Sequence, residues 1–96
     1  MNFRISSEAS KDLVSVWECT RDHWGIEQAD LSIDSVLLRF VWLTGNRKLW
    51  RPRPDLKQGV FCCTEKSHVI FFVENQGRVD ILRVLHQRMD LGTHLE

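Results

Sequence analysis

The stretch that decides the fold is Gly77-Arg78-Val79-Asp80-Ile81-Leu82-Arg83-Val84-Leu85-His86-Gln87-Arg88-Met89-Asp90. Between positions 78 and 85 every residue is Val, Ile or Leu except Arg78, Asp80 and Arg83, which predicts a β-strand. Neighbouring side chains of a strand point to opposite faces of the sheet. Because this run is apolar on both faces, we expect it to be a central strand.

The residues that follow this strand are ionisable at alternate positions. His86, Arg88 and Asp90 come where the strand would leave the sheet. Binding and catalytic residues concentrate in segments beyond regular elements. We therefore expect functional side chains at this strand end.

Length and composition predict one domain over residues 1–96. A chain of this size buries only about two-thirds of the surface that it exposes when unfolded. It contains no apolar run near the roughly 20 residues that a membrane helix needs, and no signal-peptide core follows the start. We expect a soluble, cytoplasmic protein without membrane contact.

The three cysteines predict neither a disulfide framework nor a metal site. The chain has an odd number of cysteines, and their spacing is not that of metal ligands: Cys19, Cys62 and Cys63. Cys62 and Cys63 are adjacent, so on a strand they point to opposite faces. We interpret all three as small buried hydrophobes of a reducing compartment, and we expect no metal and no cofactor.

Charge is balanced overall but uneven along the chain. Residues 1–46 carry four bases and seven acids, a net of −3, whereas residues 47–57 carry five bases and one acid, a net of +4. The neutral total argues against nonspecific nucleic-acid binding by the whole surface. The basic segment alone remains able to contact an acidic partner.

The periodicity of apolar residues predicts an α+β fold. Ser6 and Ser7 offer N-cap hydroxyls for a first helix that ends at Gly25, and Gly45-Asn46 stops a second helix. A short turn makes these helices an antiparallel hairpin. The predicted order is β-α-α-β-β-β, with the helical hairpin packed on one face of a mostly antiparallel sheet. The predicted elements are a strand at 2–5, a first helix that is capped by Ser6 or Ser7 and ends at Gly25, a second helix from about 27 to 43, and strands at 59–64, 68–73 and 78–85.

The basic segment 47–57 is predicted to be a connection without regular helix or central strand. Pro52 and Pro54 lack a donor N–H and disfavour helix before them. Leu49, Trp50 and Leu56 are its expected anchors in the core. Arginines beside a tryptophan also suit phosphates and a stacked base, but a solvated connection pinned by a core tryptophan is the favoured interpretation.

Several motifs resemble the ParE branch of the RelE/ParE toxins of bacterial type II toxin-antitoxin modules. Together they span essentially the whole chain. One departure is Ser32, where relatives commonly have a tyrosine; this chain contains no tyrosine. The motifs are Phe3-Arg4-Ile5-Ser6, Ala9, Asp12-Leu13, Trp17, Trp24-Gly25, Gln28-Ala29-Asp30, Arg51-Pro52-Arg53-Pro54-Asp55-Leu56, His68-Val69-Ile70-Phe71-Phe72, Arg83-Val84-Leu85-His86 and Arg88-Met89-Asp90.

The resemblance implies a growth-arresting toxin with two protein partners. One is a cognate ParD-like antitoxin, which binds the toxin in a hetero-oligomer and silences it. The other is DNA gyrase, which such toxins inhibit by binding rather than by chemistry, so that DNA is contacted only through gyrase. An inactive relative that only binds the antitoxin is an alternative.

A second alternative is a ribosome-dependent endoribonuclease of the RelE type. Arg83, His86 and Arg88 would then be catalytic, but the dense cationic array and late tyrosine of many such nucleases are missing. We favour no catalytic residues. His86 is interpreted as a structural histidine, and Arg83 as one half of an ion pair with Asp80 or Asp90.

Candidate contact residues follow from these interpretations. The antitoxin is expected along the helical hairpin, because four tryptophans and five phenylalanines are many for so small a core. Which of the hairpin tryptophans is exposed is left open. The antitoxin-binding candidates are Leu13, Trp17, Leu37 and Phe40, and the target-binding candidates are Arg51, Arg53, Arg83, His86 and Arg88.

Overall fold

The computed structural model describes residues 2–86, in which two helices pack on a five-stranded sheet. The sheet order is β1-β5-β4-β3-β2; β1 lies parallel to β5, and the other neighbours are antiparallel. The elements are β1 (Phe3–Ile5), α1 (Ser7–Trp24), α2 (Ile26–Gly45), a 3₁₀ helix (Arg47–Leu49), β2 (Arg51–Pro52), β3 (Phe61–Glu65), β4 (His68–Asn75) and β5 (Arg78–His86).

The predicted α+β class, the helical hairpin and the antiparallel β3-β4-β5 meander are confirmed. β5 is an interior strand, as its two apolar faces indicated. The predicted boundaries differ from the observed ones by one or two residues. The start of β3 is later than predicted because Gly59 adopts φ +87° and the Val60 N–H donates to the Lys57 carbonyl, which forms a turn.

The helix ends follow the local chemistry of the sequence. The Ser6 hydroxyl accepts a hydrogen bond from the Ala9 N–H at 3.0 Å and so caps α1. Gly25 lies at φ +94°, a conformation that favours glycine, and its N–H donates to the Arg21 carbonyl at 2.8 Å. α2 begins at the next residue, so the connection between the helices is a single glycine.

Both faces of the sheet are covered by apolar side chains. The face toward the helices carries one buried cluster, which includes Phe40 and Phe72. The opposite face carries a second cluster around Phe71 and Leu85, against which Leu56 packs from the segment after β2. Cys62 belongs to this second cluster, while Cys63 packs against the first, so the two cysteines do point to opposite faces.

One cysteine prediction is wrong. Cys19, on α1, is exposed. Cys62 is buried, and Cys63 is partly buried. Burial raises the pKa of the Cys63 thiol, as expected for a thiol in apolar surroundings.

The basic segment contains more regular structure than predicted. It forms the 3₁₀ helix and then β2, whose Pro52 lies opposite Phe61 at the edge of the sheet. A proline is compatible with an edge strand because its missing N–H can face outward. Trp50 is buried, and its Nε1 donates to the Leu43 carbonyl at 2.9 Å. Leu49 is 61% exposed, so the prediction that it anchors the segment is wrong.

Neither helix could span a membrane. Within residues 2–86, neither is both long enough and apolar enough to cross a membrane.

Candidate functional site

Side chains from the first helix and its cap complete the edge of β5 where β1 stops. β1 pairs only with residues 79–81 of β5. Beyond that point the Ser6 hydroxyl donates to the Leu82 carbonyl at 2.9 Å, and Asp12 Oδ2 accepts from the Val84 N–H at 2.9 Å. Backbone groups of β5 that lack a strand partner on this edge are thereby satisfied.

The same Asp12 carboxylate holds Arg83 in a bidentate ion pair. Arg83 Nε lies 2.8 Å from Asp12 Oδ2, and Arg83 Nη2 lies 2.8 Å from Asp12 Oδ1. The two side chains are only 20% and 12% exposed. The hydrogen bonds to Asp12 raise the pKa of the Arg83 guanidinium.

Arg83 is therefore half of an ion pair, as predicted, but its partner is Asp12 and the predicted pairing with Asp80 is wrong. Asp80 instead pairs with Arg78, at 2.7 Å between Arg78 Nε and Asp80 Oδ1. A β-bulge separates the two positions, because Phe71 lies opposite Arg83 whereas Phe72 lies opposite Ile81. Bulges redirect neighbouring side chains. The other proposed partner, Asp90, lies outside the described residues.

Two histidines face each other at the end of β4 and β5. His68 and His86 are direct cross-strand neighbours, and their ring centroids lie 5.8 Å apart in an edge-to-face arrangement. His86 is exposed, whereas His68 is partly buried. Burial lowers the pKa of His68, and the neighbouring His86 lowers it further.

A cleft of about 780 Å³ lies between α1 and this end of the sheet. A smaller cavity of about 420 Å³ adjoins it and shares Thr20, Trp24, Ser67 and His68 with it. Trp24, at the end of α1, is 76% exposed. The polar residues that line the larger cleft include Asp12, Cys19, His23, His68, Arg83 and His86.

Several polar side chains of the cleft contact one another or the backbone. Asp12 and Arg83 neutralise each other, and His23 Nδ1 donates to the Cys19 carbonyl at 2.8 Å. Among residues 2–86, no three histidine, cysteine or carboxylate side chains are grouped so that they could hold a metal ion. An exposed tryptophan beside a cleft is typical of a protein-binding site.

The predicted target-binding residues do not form one site. Arg83 and His86 line the cleft, but Arg51 and Arg53 lie at or just after β2, on the far side of β4 and β3. Arg53 is paired with Asp55 through two hydrogen bonds of 3.1 and 3.0 Å, which raise the pKa of Arg53. Arg51 is exposed. Arg88 lies outside the described residues.

The predicted antitoxin-binding residues are more buried than expected. Phe40 is 0% exposed and packs edge-to-face on Phe3, so the prediction that it contacts a partner is wrong for this fold. Leu13 and Leu37 are partly buried against the helix-facing core. Trp17 is partly buried too, and its Nε1 donates to Asp30 Oδ1 at 2.8 Å, which joins α1 to α2.

One group of exposed apolar side chains lies on the outer face of α2. Leu31, Leu38 and Val41 are 55%, 69% and 56% exposed. Their spacing of seven and three residues places them on one side of the helix. We call these three residues the α2 stripe. Sequence reasoning missed them because Leu37 and Phe40, the candidates from this helix, were chosen from the apolar stripe that also packs on the sheet.

The chain is similar in sequence to proteins of a known family. The sequence pattern of the family described as ParE toxin of type II toxin-antitoxin system, parDE, matches residues 3–91. Toxin ParE1 of Mycobacterium tuberculosis is 31% identical over 94 residues, covering 97% of this chain and 96% of the relative. Toxin ParE1 of Caulobacter vibrioides is 32% identical over 93 residues, with the same coverage.

A solved structure supports the fold. It is described as the chromosomal ParDE TA system from P. aeruginosa, and it superimposes with a TM-score of 0.79 at 19% identity. The match covers 90% of this chain and 95% of the other. At this identity the likeness concerns the fold alone.

The Asp12–Arg83 pair predicts an asymmetric loss of stability. We expect Asp12→Ala to cost about 3 kcal/mol of unfolding free energy, because it removes two hydrogen bonds from a largely buried guanidinium and one from the Val84 N–H. Arg83→Ala should cost less. A double-mutant cycle followed by urea unfolding should give a coupling of about 1–3 kcal/mol.

The exposed Arg53–Asp55 pair is the matched control for this cycle, since its geometry is also bidentate. Its coupling should be smaller because solvent screens both charges. Equal coupling in the two pairs would show that burial of the Asp12–Arg83 pair contributes nothing to its strength.

His68 predicts a stability loss in mild acid. Its folded-state pKa lies below 6.5, so the unfolded chain binds more protons, and stability falls as pH drops through about 6.5 toward the folded-state pKa. We expect His68→Gln to reduce this loss in urea unfolding measured at several pH values. His23→Gln, an exposed change on α1, is the control; identical pH profiles for wild type and His68→Gln would contradict the prediction.

Proposed function

The chain belongs to the ParE toxin family of parDE type II toxin-antitoxin systems, and from that premise we propose that it inhibits DNA gyrase by binding and is neutralised by a cognate antitoxin. The proposed complex is a hetero-oligomer of toxin and ParD-like antitoxin in the cytoplasm. The observation that supports the proposal is that the α2 stripe and the cleft beside Trp24 are two separate exposed features of the chain.

The α2 stripe is the proposed antitoxin surface. Three large aliphatic side chains on one exposed helix face suit the apolar side of an amphipathic partner helix. Glu27 and Asp34 are also exposed on α2 and favour a partner with basic flanks. An antitoxin segment that folds along this face gains apolar burial, which offsets the entropy lost on ordering.

The cleft is the proposed gyrase surface. Its lining includes Arg83 and His86, which the sequence indicated as target-binding, and Trp24 adds a large exposed aromatic ring. Tryptophan in a partly enclosed position is among the side chains that contribute most to protein interfaces. We expect Trp24 to be the principal anchor, with the histidines contributing polar contacts.

The pairing of Arg83 with Asp12 supports inhibition without catalysis. A nuclease needs cations on the scissile phosphate and a free acid–base pair. Arg83 Nε and Nη2 are instead directed at Asp12, which also accepts from Val84. Using Arg83 as a phosphate ligand would require breaking a contact between α1 and β5.

The decisive experiment is a supercoiling assay with purified toxin, gyrase, ATP and relaxed plasmid. We expect loss of supercoiling with accumulation of cleaved plasmid, and Trp24→Ala should weaken this inhibition at least tenfold because it removes the proposed anchor. Ile26→Ala is the control, since Ile26 is 60% exposed two residues away and does not line the cleft. Unaffected gyrase, or equal losses in the two variants, would count against the proposal. If translation were blocked instead, the ribonuclease alternative would take its place.

The α2 stripe should be needed for neutralisation by the antitoxin. The double change Leu31→Ser and Leu38→Ser should weaken antitoxin binding roughly tenfold or more, since it removes two large apolar side chains that the complex would bury. Gyrase inhibition should remain, because neither residue lines the cleft. Calorimetry with the product of the neighbouring gene measures the affinity. Leu49→Ser is the control, being a comparably exposed leucine outside the stripe; equal losses from both would exclude the stripe as the contact surface.

A further inference from the structure

β2 and the segments on either side of it carry three exposed cations for which residues 2–86 provide no acidic partner. Lys48, Arg51 and Lys57 are exposed, and none forms an ion pair or side-chain hydrogen bond within residues 2–86. We call these three residues the basic edge. The other two cations of the same segment are paired, Arg47 with Glu74 and Arg53 with Asp55.

The backbone beneath these cations is fixed by hydrogen bonds. Trp50 is buried, and its N–H donates to the Arg47 carbonyl at 3.2 Å. The Arg53 N–H donates to the Val60 carbonyl at 2.7 Å, and the Lys57 carbonyl accepts from the Val60 N–H at 3.2 Å. Little backbone entropy would therefore be lost when the basic edge meets a ligand.

The structure also restricts what that ligand is. β2 is only two residues long and contains Pro52, so it is a poor template for an added peptide strand. Trp50 is buried among Phe61 and Phe72, which leaves its ring unable to stack on a nucleobase. The basic edge can therefore contact a ligand only through its cationic side chains, without recognising bases.

We propose that the basic edge binds the phosphate backbone of duplex DNA directly and without sequence preference. Phosphates on both strands present a dense row of negative charge to Lys and Arg. Such contacts position a protein on a duplex but do not read its sequence. The proposal goes beyond the gyrase proposal, because it concerns this chain and DNA alone.

The test measures toxin binding to a fluorescent duplex of mixed sequence by anisotropy. We expect weak binding that falls with salt between about 50 and 200 mM, with a slope of log K on log salt of about −3, as expected for three phosphate contacts. The triple change Lys48→Gln, Arg51→Gln and Lys57→Gln should weaken binding at least tenfold at low salt and bring the slope near zero.

The control replaces Arg4 and Lys11, exposed cations on β1 and α1, by Gln. It should leave most of the binding and of the salt slope in place. Unchanged thermal unfolding and antitoxin affinity verify that the triple variant folds. Three results overturn the proposal: no binding at the lowest salt, equal losses in the control, or tighter binding of poly-glutamate than of DNA at the same salt.

The supercoiling assay separates this inference from the gyrase proposal. If naked DNA is bound through the basic edge but gyrase is unaffected, only the gyrase proposal fails. If gyrase is inhibited and naked DNA is not bound, only the inference fails.

Discussion

The contact on which the structure depends is the carboxylate of Asp12, which accepts three hydrogen bonds from β5. β1 is three residues long and β5 is nine, so β1 leaves part of that edge uncovered. An uncovered strand edge presents unpaired backbone groups, which are costly where water is excluded. Asp12 supplies an acceptor there and so determines where α1 lies on the sheet.

This arrangement has a consequence for the cleft. A carboxylate buried without a counter-charge would be strongly destabilising, and Arg83 supplies the counter-charge. The guanidinium that could have bound a phosphate thereby has a structural role. The cleft also contains an exposed tryptophan and two facing histidines.

Local features of the fold could be predicted from the sequence, and long-range pairings could not. Ser6 and Gly25 mark the ends of α1 through capping chemistry that acts within a few residues. The pair between Asp12 and Arg83 joins positions 71 apart, and the bulge beside Arg83 depends on the register of β4 against β5. Neither leaves a periodic signal in the sequence.

The candidate surfaces were harder to predict for a related reason. An apolar residue on a helix is equally compatible with the core and with an interface, so Phe40 was assigned to the surface although it is fully buried. α2 has a second apolar face, and only packing against the sheet shows which face remains outside. Arg51 and Arg83 were grouped by residue type, whereas the sheet order places two strands between theirs.

The geometry of the hairpin also constrains how one antitoxin would silence the proposed toxin. Leu31 and Val41 lie about 15 Å apart along α2, at 1.5 Å per residue, so three turns of a partner helix cover the stripe. Leu31 is six residues after Gly25, which corresponds to about 9 Å along α2 at 1.5 Å per residue, a distance that about three extended residues span. A single segment, helical along the stripe and extended past Gly25, would therefore reach Trp24 and close the cleft. Neutralisation on this route requires no change in the toxin's own structure, since both surfaces are already exposed.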